Sequence, residues 1–232
     1  LEACTVYSFS SLLKADVLEE TYHDSTCLSK CGVKEGVTLT LVRQRRLKVL
    51  TASVDRTARI LDISTGECQQ ILSGHRSSVN SAVFSADGSL GLTASCDCTA
   101  KIFDSSTGEC KHTLCGHRQM LYSAVFLADG SSVLVASDDF TAKIFDSFTG
   151  ECKQTLCGHR AFVNSAVFSA DGSSVLTASV DKTAKIFDSF TGECKQTLTG
   201  HDHNVFSAVF SADGSSVLTA SCDSTAKIFD SY

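Results

Sequence analysis

Apolar and polar side chains alternate along short segments of this chain, and turn residues separate the segments. One stretch carries the pattern four times, in VNSAVFS (163–169), SVLTAS (174–179), TAKIFD (183–188) and ECKQTL (193–198). Alternation with a period of two, together with an abundance of Val, Ile, Thr and Phe, indicates half-buried β-strands. The connecting sequences SADGS and DSFTGE favour tight turns. The pattern therefore predicts an antiparallel meander of four strands.

The same unit recurs along the chain with a constant spacing of 42 residues. A Gly-His pair marks each copy, at 74–75, 116–117, 158–159 and 200–201. A shorter copy of the third-strand sequence begins at Ser224, close to the end of the chain. One four-stranded sheet cannot bury its own apolar faces, so successive copies are expected to stack on one another.

These residues resemble the WD40 repeat family over residues 47–232. The resemblance rests on the Gly-His pair, on an Asp that follows the His by 22 residues, and on a closing aromatic-Asp pair. It implies an all-β fold, a WD40-like β-propeller with about 4.5 to 5 blades of four antiparallel strands, either partial or a closed five-bladed ring. The chain departs from the family because it contains no Trp. The closing pairs are instead Phe103-Asp104, Phe145-Asp146, Phe187-Asp188 and Phe229-Asp230, with Leu61-Asp62 in the first copy.

The resemblance also implies a hydrogen-bonded network in each blade, made by the His, the turn Asp, a Ser or Thr of the second strand and the missing Trp. The implied pairs are His75 with Asp97, His117 with Asp139, His159 with Asp181, and His201 with Asp223. The Ser/Thr position holds Thr93, Thr177 and Thr219, but Val135 in one copy. Because Phe has no indole donor, each network is expected to lose about 0.5–1.5 kcal/mol of net hydrogen bonding. Recurrence in every copy favours a structural, turn-locking role over a catalytic dyad.

The N-terminal residues allow two interpretations. Residues 15–46 resemble the second half of a ubiquitin-like domain, which divides the chain into a partial ubiquitin-like segment at 1–45 and a propeller at 46–232. Alternatively, the 42-residue frame extends upstream and places 37–46 in the first blade, with 25–30 as the outer strand of the last blade. We favour the first interpretation, and the missing initiator Met suggests a fragment.

Composition narrows the choice of partner. The formal net charge of −6 argues against nucleic acid, because phosphate binding requires a surplus of Lys and Arg. No apolar run of about 18 residues predicts a membrane span, and no basic n-region predicts a signal peptide. The chain has twelve cysteines. Cys68, Cys110, Cys152 and Cys194 were copied with the repeat and are expected to be free thiols, which favours a reducing compartment, cytoplasmic or nuclear.

Differences between the copies gather in two places, directly after Gly-His and on either side of the turn Asp. In a four-stranded meander both places lie at the same end of the sheet, so we expect them on one face of the propeller. Arg and aromatic residues are enriched at interaction hot spots. We therefore hypothesise that this variable face binds other proteins or peptides through Arg76, Arg118, Met120, Tyr122, Phe140, Arg160, Phe162, His203 and Phe206. The alternative is neutral drift in exposed loops.

Catalytic and metal chemistry find little support. His23, Cys27 and Cys31 have loosely zinc-like spacing, but no second pair completes four ligands. The chain carries neither a Gly-rich phosphate loop nor a Ser nucleophile in a G-x-S-x-G setting. We therefore predict no enzyme activity, no cofactor and no metal.

The leading prediction is a non-catalytic protein–protein interaction scaffold of WD40 type. A ubiquitin-like region followed by WD40 repeats also resembles the Notchless-type ribosome-assembly factors, which gives a first alternative. A second is substrate reception in a ubiquitin ligase complex. Self-association through open propeller edges is a further expectation, because an unpaired sheet edge is costly.

Overall fold

The computed structural model describes residues 47–231, which form eighteen β-strands in five antiparallel sheets. Sheet 1 contains β1 (Lys48–Ala52), β2 (Ala58–Asp62) and β3 (Cys68–Leu72). Sheet 2 contains β4 (Val79–Phe84), β5 (Leu90–Ser95), β6 (Ala100–Asp104) and β7 (Cys110–Leu114). Sheet 3 contains β8 (Leu121–Phe126), β9 (Ser132–Ser137), β10 (Ala142–Asp146) and β11 (Cys152–Leu156). Sheet 4 contains β12 (Val163–Phe168), β13 (Ser174–Ser179), β14 (Ala184–Asp188) and β15 (Cys194–Leu198), and sheet 5 contains β16 (Val205–Phe210), β17 (Ser216–Ser221) and β18 (Ala226–Asp230).

Each sheet is a meander whose strands pair in chain order. The four segments that the alternation predicts in one repeat become β12 to β15, and the predicted all-β fold of propeller-type sheets is confirmed. The interpretations of the N-terminal region fall on 1–45, 25–30 and 37–46, which lie outside the described residues. No helix among residues 47–231 has the length and hydropathy of a membrane span.

The sheets bury their faces against one another in the order of the chain. In sheet 2 the second strand, β5, has nearly every residue buried, since another sheet lies on each side of it. The closing Phe of one sheet joins the core formed with the sheet before it: Phe145 belongs to one buried cluster with Leu92, Ile102 and Leu114 of sheet 2. Phe187 makes the same connection from sheet 4 to Leu134 of sheet 3. The residue that replaces Trp is thus a principal part of the core.

Side-chain hydrogen bonds join two pairs of neighbouring sheets at their inner strands. The register of the inner strand shifts by one residue at Asn80 in sheet 2 and at Asn164 in sheet 4. Asn80 Nδ2 donates to the Leu121 carbonyl at 2.8 Å, and Asn164 Nδ2 donates to the Val205 carbonyl at 3.0 Å. Tyr122 occupies the corresponding position in sheet 3, where an amide donor is therefore lacking.

Sheet 5 has an apolar face that no other sheet of the described residues covers. Ile228 is 75% exposed, whereas its counterpart in sheet 4, Ile186, is 3% exposed. Leu218 is 45% exposed, whereas Leu176 is fully buried. Within residues 47–231, sheets 1 and 5 also have three strands where the others have four.

We predict that Phe145→Ala lowers the free energy of unfolding by about 3–5 kcal/mol, because a large side chain leaves a well-packed cluster. Phe148 provides a matched control, since it lies three residues away and is 72% exposed. Phe148→Ala should change stability by no more than about 0.5 kcal/mol. Urea denaturation followed by circular dichroism measures both effects. Equal effects of the two substitutions would contradict the assigned role of Phe145 in the core.

Candidate partner-binding face

A hydrogen-bonded lock fixes the loop after each Gly-His pair to the turn between the second and third strands. In sheet 2, His75 Nδ1 lies 2.9 Å from Asp97 Oδ2, and the same oxygen accepts the Arg76 N–H at 2.8 Å. Thr99 Oγ1 donates to the other carboxylate oxygen at 2.6 Å. The corresponding His–Asp distances are 2.9 Å for His117–Asp139, 2.8 Å for His159–Asp181 and 2.7 Å for His201–Asp223. Loop and turn therefore hold each other in place in four sheets.

The second ring nitrogen of each His reaches into the sheet. His75 Nε2 lies 2.7 Å from Thr93 Oγ1, and Thr177 and Thr219 make the same contact at 2.7 and 2.8 Å. Val135 has no hydroxyl, and His117 Nε2 is buried without a hydrogen-bond partner. The Phe ring that stands in for the Trp indole lies beside the His: the ring centroids of His117 and Phe145 are 6.3 Å apart. Sheet 3 thus has a weaker lock than its neighbours.

The locks favour neutral histidines and ionised carboxylates, an arrangement suited to structure. Burial lowers the pKa of His75, His117 and His159, although the partner Asp acts in the opposite direction in each case. Burial raises the pKa of Asp97, but hydrogen bonds from Thr99, Arg76 and His75 outweigh it and bring this pKa to about 2. In sheets 2 and 4 burial favours the neutral imidazole and both ring nitrogens are engaged, which leaves no free lone pair for a substrate.

The turn Asp is followed in every sheet by a residue in the left-handed region. These residues, with φ between 67° and 72°, are Arg56, Cys98, Phe140, Lys182 and Ser224. The left-handed conformation costs an L-residue roughly 1–2 kcal/mol, and a bulky side chain makes it rarer still. All five turns share this cost, and Phe140 is the one aromatic residue among the five.

Seven of the nine residues predicted for the partner face lie in these loops and turns, and Tyr122 and Phe206 are the second residues of β8 and β16. Backbone bonds tie the two variable segments together, since the Asp138 N–H donates to the Met120 carbonyl and the Val180 N–H to the Phe162 carbonyl, both at 2.9 Å. Both segments therefore lie at the same end of the sheets. Tyr122 is half-buried and the other eight are exposed, namely Arg76, Arg118, Met120, Phe140, Arg160, Phe162, His203 and Phe206.

Three of the nine form an aromatic cluster at the junction of sheets 3 and 4. The Phe140 ring stacks on the Phe162 ring with centroids 5.8 Å apart, and the Tyr122 ring lies 6.4 Å from Phe162. Phe162 comes from the loop that leads into sheet 4, whereas the other two belong to sheet 3. Among residues 47–231, Phe206 has no ring contact with this cluster.

Asp138 belongs to this site, although the sequence indicates it only as one of the variable residues beside a turn. It lines a cavity of about 380 Å³ together with residues on both sides of the junction. Its Oδ1 is buried and has no hydrogen-bond partner. The signal that could have identified it is chemical, because the other four copies have an uncharged residue at this position: Val54, Cys96, Val180 and Cys222.

Two further exposed aromatics lie on the opposite face. Phe148 and Phe190 follow the closing Asp of sheets 3 and 4, at the other end of the strands from the variable loops. The sequence does not indicate that these two residues are exposed, since the alternation of apolar and polar residues applies to strands and not to turns.

The described residues contain no cluster that suits a metal. No group of three or more His, Cys, Asp and Glu in the range 47–231 is placed to hold an ion. The nine cysteines of that range are free thiols. His23, Cys27 and Cys31, which have loosely zinc-like spacing, lie outside it.

Comparison with known protein families gives one match. The family model described as "WD domain, G-beta repeat" matches residues 66–104, 108–146, 150–188 and 192–230. The four matches share the 42-residue spacing and together span more than half of the chain. None of the curated proteins compared with the chain matches it.

We predict that Val135→Thr stabilises the protein by about 0.5–1.5 kcal/mol, because the hydroxyl gives His117 Nε2 the partner that it lacks. The reverse change in the next sheet, Thr177→Val, should destabilise by about 1–3 kcal/mol, since it leaves His159 Nε2 buried and unpaired. Thermal and urea denaturation of the two variants measure these effects. Destabilisation by both substitutions would mean that the second-strand hydroxyl does not strengthen the lock.

Proposed function

Because this chain belongs to the WD40 repeat family, we propose that its variable face binds a partner protein. Proteins with these repeats are generally non-catalytic interaction scaffolds. The proposal is carried by one observation, an aromatic cluster. The exposed Phe140 and Phe162, in segments that the His–Asp locks hold in place, contact each other, and Phe162 also contacts the half-buried Tyr122 of β8.

The chemistry of the face supports binding in two ways. Arg and aromatic residues carry a large share of the binding energy in known interfaces, and the face has Arg76, Arg118 and Arg160 beside its aromatics. The loops are also fixed before a partner arrives, so that binding does not have to order them and less of the interaction energy is lost to entropy.

Two narrower functions remain predictions. The resemblance to Notchless-type ribosome-assembly factors rests on 15–46, outside the described residues. Reception of substrates for a ubiquitin ligase is disfavoured, because the adaptor signature that the resemblance implies has Arg two residues after the closing Asp. This chain has Ser64, Ser106, Phe148 and Phe190 at those positions. The absence of enzyme activity and a cytoplasmic or nuclear location likewise remain predictions.

Substitution of face residues away from the aromatic cluster tests the proposal. We expect Arg76→Ala, Arg160→Ala and Phe206→Ala, combined in one protein, to reduce capture of partner proteins from a cell extract at least about tenfold. The matched control combines Phe148→Ala and Phe190→Ala on the opposite face and should leave capture unchanged. Quantitative mass spectrometry of the captured proteins measures both. Capture by the triple variant at the unsubstituted level, or loss of capture in the control alone, would contradict the proposal.

Self-association through the open edge of sheet 5 belongs to the same proposal. In sheet 4, Leu176 and Ile186 are covered by sheet 5. The equivalent residues of sheet 5, Leu218 and Ile228, are exposed, so a repeat from a second copy of the chain can cover them in the same way. We expect a concentration-dependent increase in sedimentation coefficient that Ile228→Lys abolishes. Val54→Lys, at a turn position that is 83% exposed, should leave the sedimentation coefficient unchanged. A sedimentation coefficient independent of concentration would contradict this expectation.

A further inference from the structure

The junction of sheets 3 and 4 differs from its neighbours in side chains rather than in backbone. The walls of its cavity are formed by Arg118, Gln119, Asp138, Asp139, Phe140 and Phe162. The equivalent turn in sheet 4 has the same left-handed backbone conformation, but it carries Val180 and Lys182 in place of Asp138 and Phe140. Any property of the cavity that depends on charge or on aromatic rings is therefore specific to this junction.

Asp138 brings a negative charge that no ion pair or side-chain hydrogen bond within residues 47–231 compensates. Its Oδ1 is shielded from solvent and accepts no hydrogen bond, and the ion pairs found among residues 47–231 do not include it. Burial and the neighbouring charge of Asp139 raise the pKa of Asp138 above its ordinary value. A carboxylate oxygen that has lost water without gaining a donor is costly, and a nearby positive charge offsets that cost.

Aromatic rings form the other side of the cavity. The Phe140 ring is 41% exposed and stacks on the Phe162 ring. Burial and the charge of Asp138 raise the pKa of Tyr122, so the phenol is within electrostatic reach of the carboxylate. The faces of aromatic rings attract cations.

The charges on the walls are negative on balance. Asp139 is ionised and held by His117, which burial keeps neutral. Arg118 is exposed and is the one cation on the walls of this cavity. Two carboxylates therefore face one guanidinium, and a cationic ligand is attracted more than an anionic one. Arg118 opposes such a ligand, so its removal should strengthen binding.

We infer that this cavity receives a cationic side chain of a bound peptide, the ammonium of a lysine or the guanidinium of an arginine. The charged end pairs with Asp138, and the methylene groups pack on Phe140 and Phe162. The inference rests on the proposed function, because the peptide reaches the cavity from the variable face. Both side chains combine an apolar stem with a positive end, which is the combination that the walls match.

Capped single residues test the inference on the full chain without a partner protein. The probes are the N-acetyl methylamides of lysine, arginine, norleucine and glutamate, titrated at constant ionic strength while the aromatic NMR resonances of Tyr122, Phe140 and Phe162 are followed. We expect saturable shifts with lysine or arginine, and a Kd at least about tenfold higher for norleucine, which has the stem without the charge. A preference for one cation identifies the source of the side chain.

Four variants assign the binding to the named groups. Asp138→Asn should weaken cation binding about tenfold, and Arg118→Ala should strengthen it several-fold. Phe140→Gly should weaken it while raising the midpoint of thermal unfolding, because glycine relieves the left-handed strain. Lys182→Gly is the matched control, since it relieves the same strain in the next sheet and should leave probe binding unchanged.

Three results would overturn the inference. The first is binding of norleucine or glutamate as tight as that of lysine and arginine, and the second is an unchanged cation affinity in Asp138→Asn. The third is unshifted aromatic resonances with every probe up to about 50 mM, a concentration at which even a weak site would respond. These failures are separable from failure of the proposed function. The probe titration requires no partner protein, and the capture experiment uses Arg76, Arg160 and Phe206, which lie outside the cavity.

Discussion

Burial of each sheet's apolar faces by its neighbours is the constraint on which the rest of this structure depends. The closing Phe shows which energy dominates. Burial of a Phe side chain is worth about 1.5–3 kcal/mol, whereas the indole hydrogen bond that the replacement of Trp removes is worth about 0.5–1.5 kcal/mol. Phe145 and Phe187 keep the first contribution and give up the second. The chain can therefore dispense with Trp in every repeat, because the core requires an apolar ring more than it requires a donor.

The His–Asp locks convert this packing into a surface of fixed loops. Each lock buries the imidazole within the sheet and uses the Asp carboxylate to hold two loop segments by their backbone N–H groups. Side chains in those segments contribute little to the lock, so they can change from copy to copy without loss of the fold. Variation and rigidity therefore occur together on the same face, which is the combination that an interaction surface requires.

The sequence predicts the elements of this structure better than it predicts the site. Strand positions, the 42-residue period and the propeller-type sheets follow from local alternation and exact spacing, both of which a single chain displays. The cluster of Tyr122, Phe140 and Phe162 does not follow, because two of its members belong to one sheet and the third to the next, and their distance depends on how the sheets pack. The role of Asp138 does not follow from the sequence either, since its lack of a hydrogen-bond partner is a property of its surroundings rather than of its position in the repeat.

Sheet 3 concentrates the departures from the repeat's own rules. It has Val135 where the lock needs a hydroxyl, Asp138 where the other copies are uncharged, and an aromatic residue, Phe140, at the left-handed position that all five copies share. The first two departures each leave a buried polar atom without a hydrogen-bond partner, at a cost on the order of 1 kcal/mol, and both lie in the same copy. Two of the three residues line one cavity, and the third lies in the lock that supports it. A cation bound at Asp138 would offset the charge of the carboxylate and pack against the Phe140 ring, so the ligand accounts for the two departures that line the cavity.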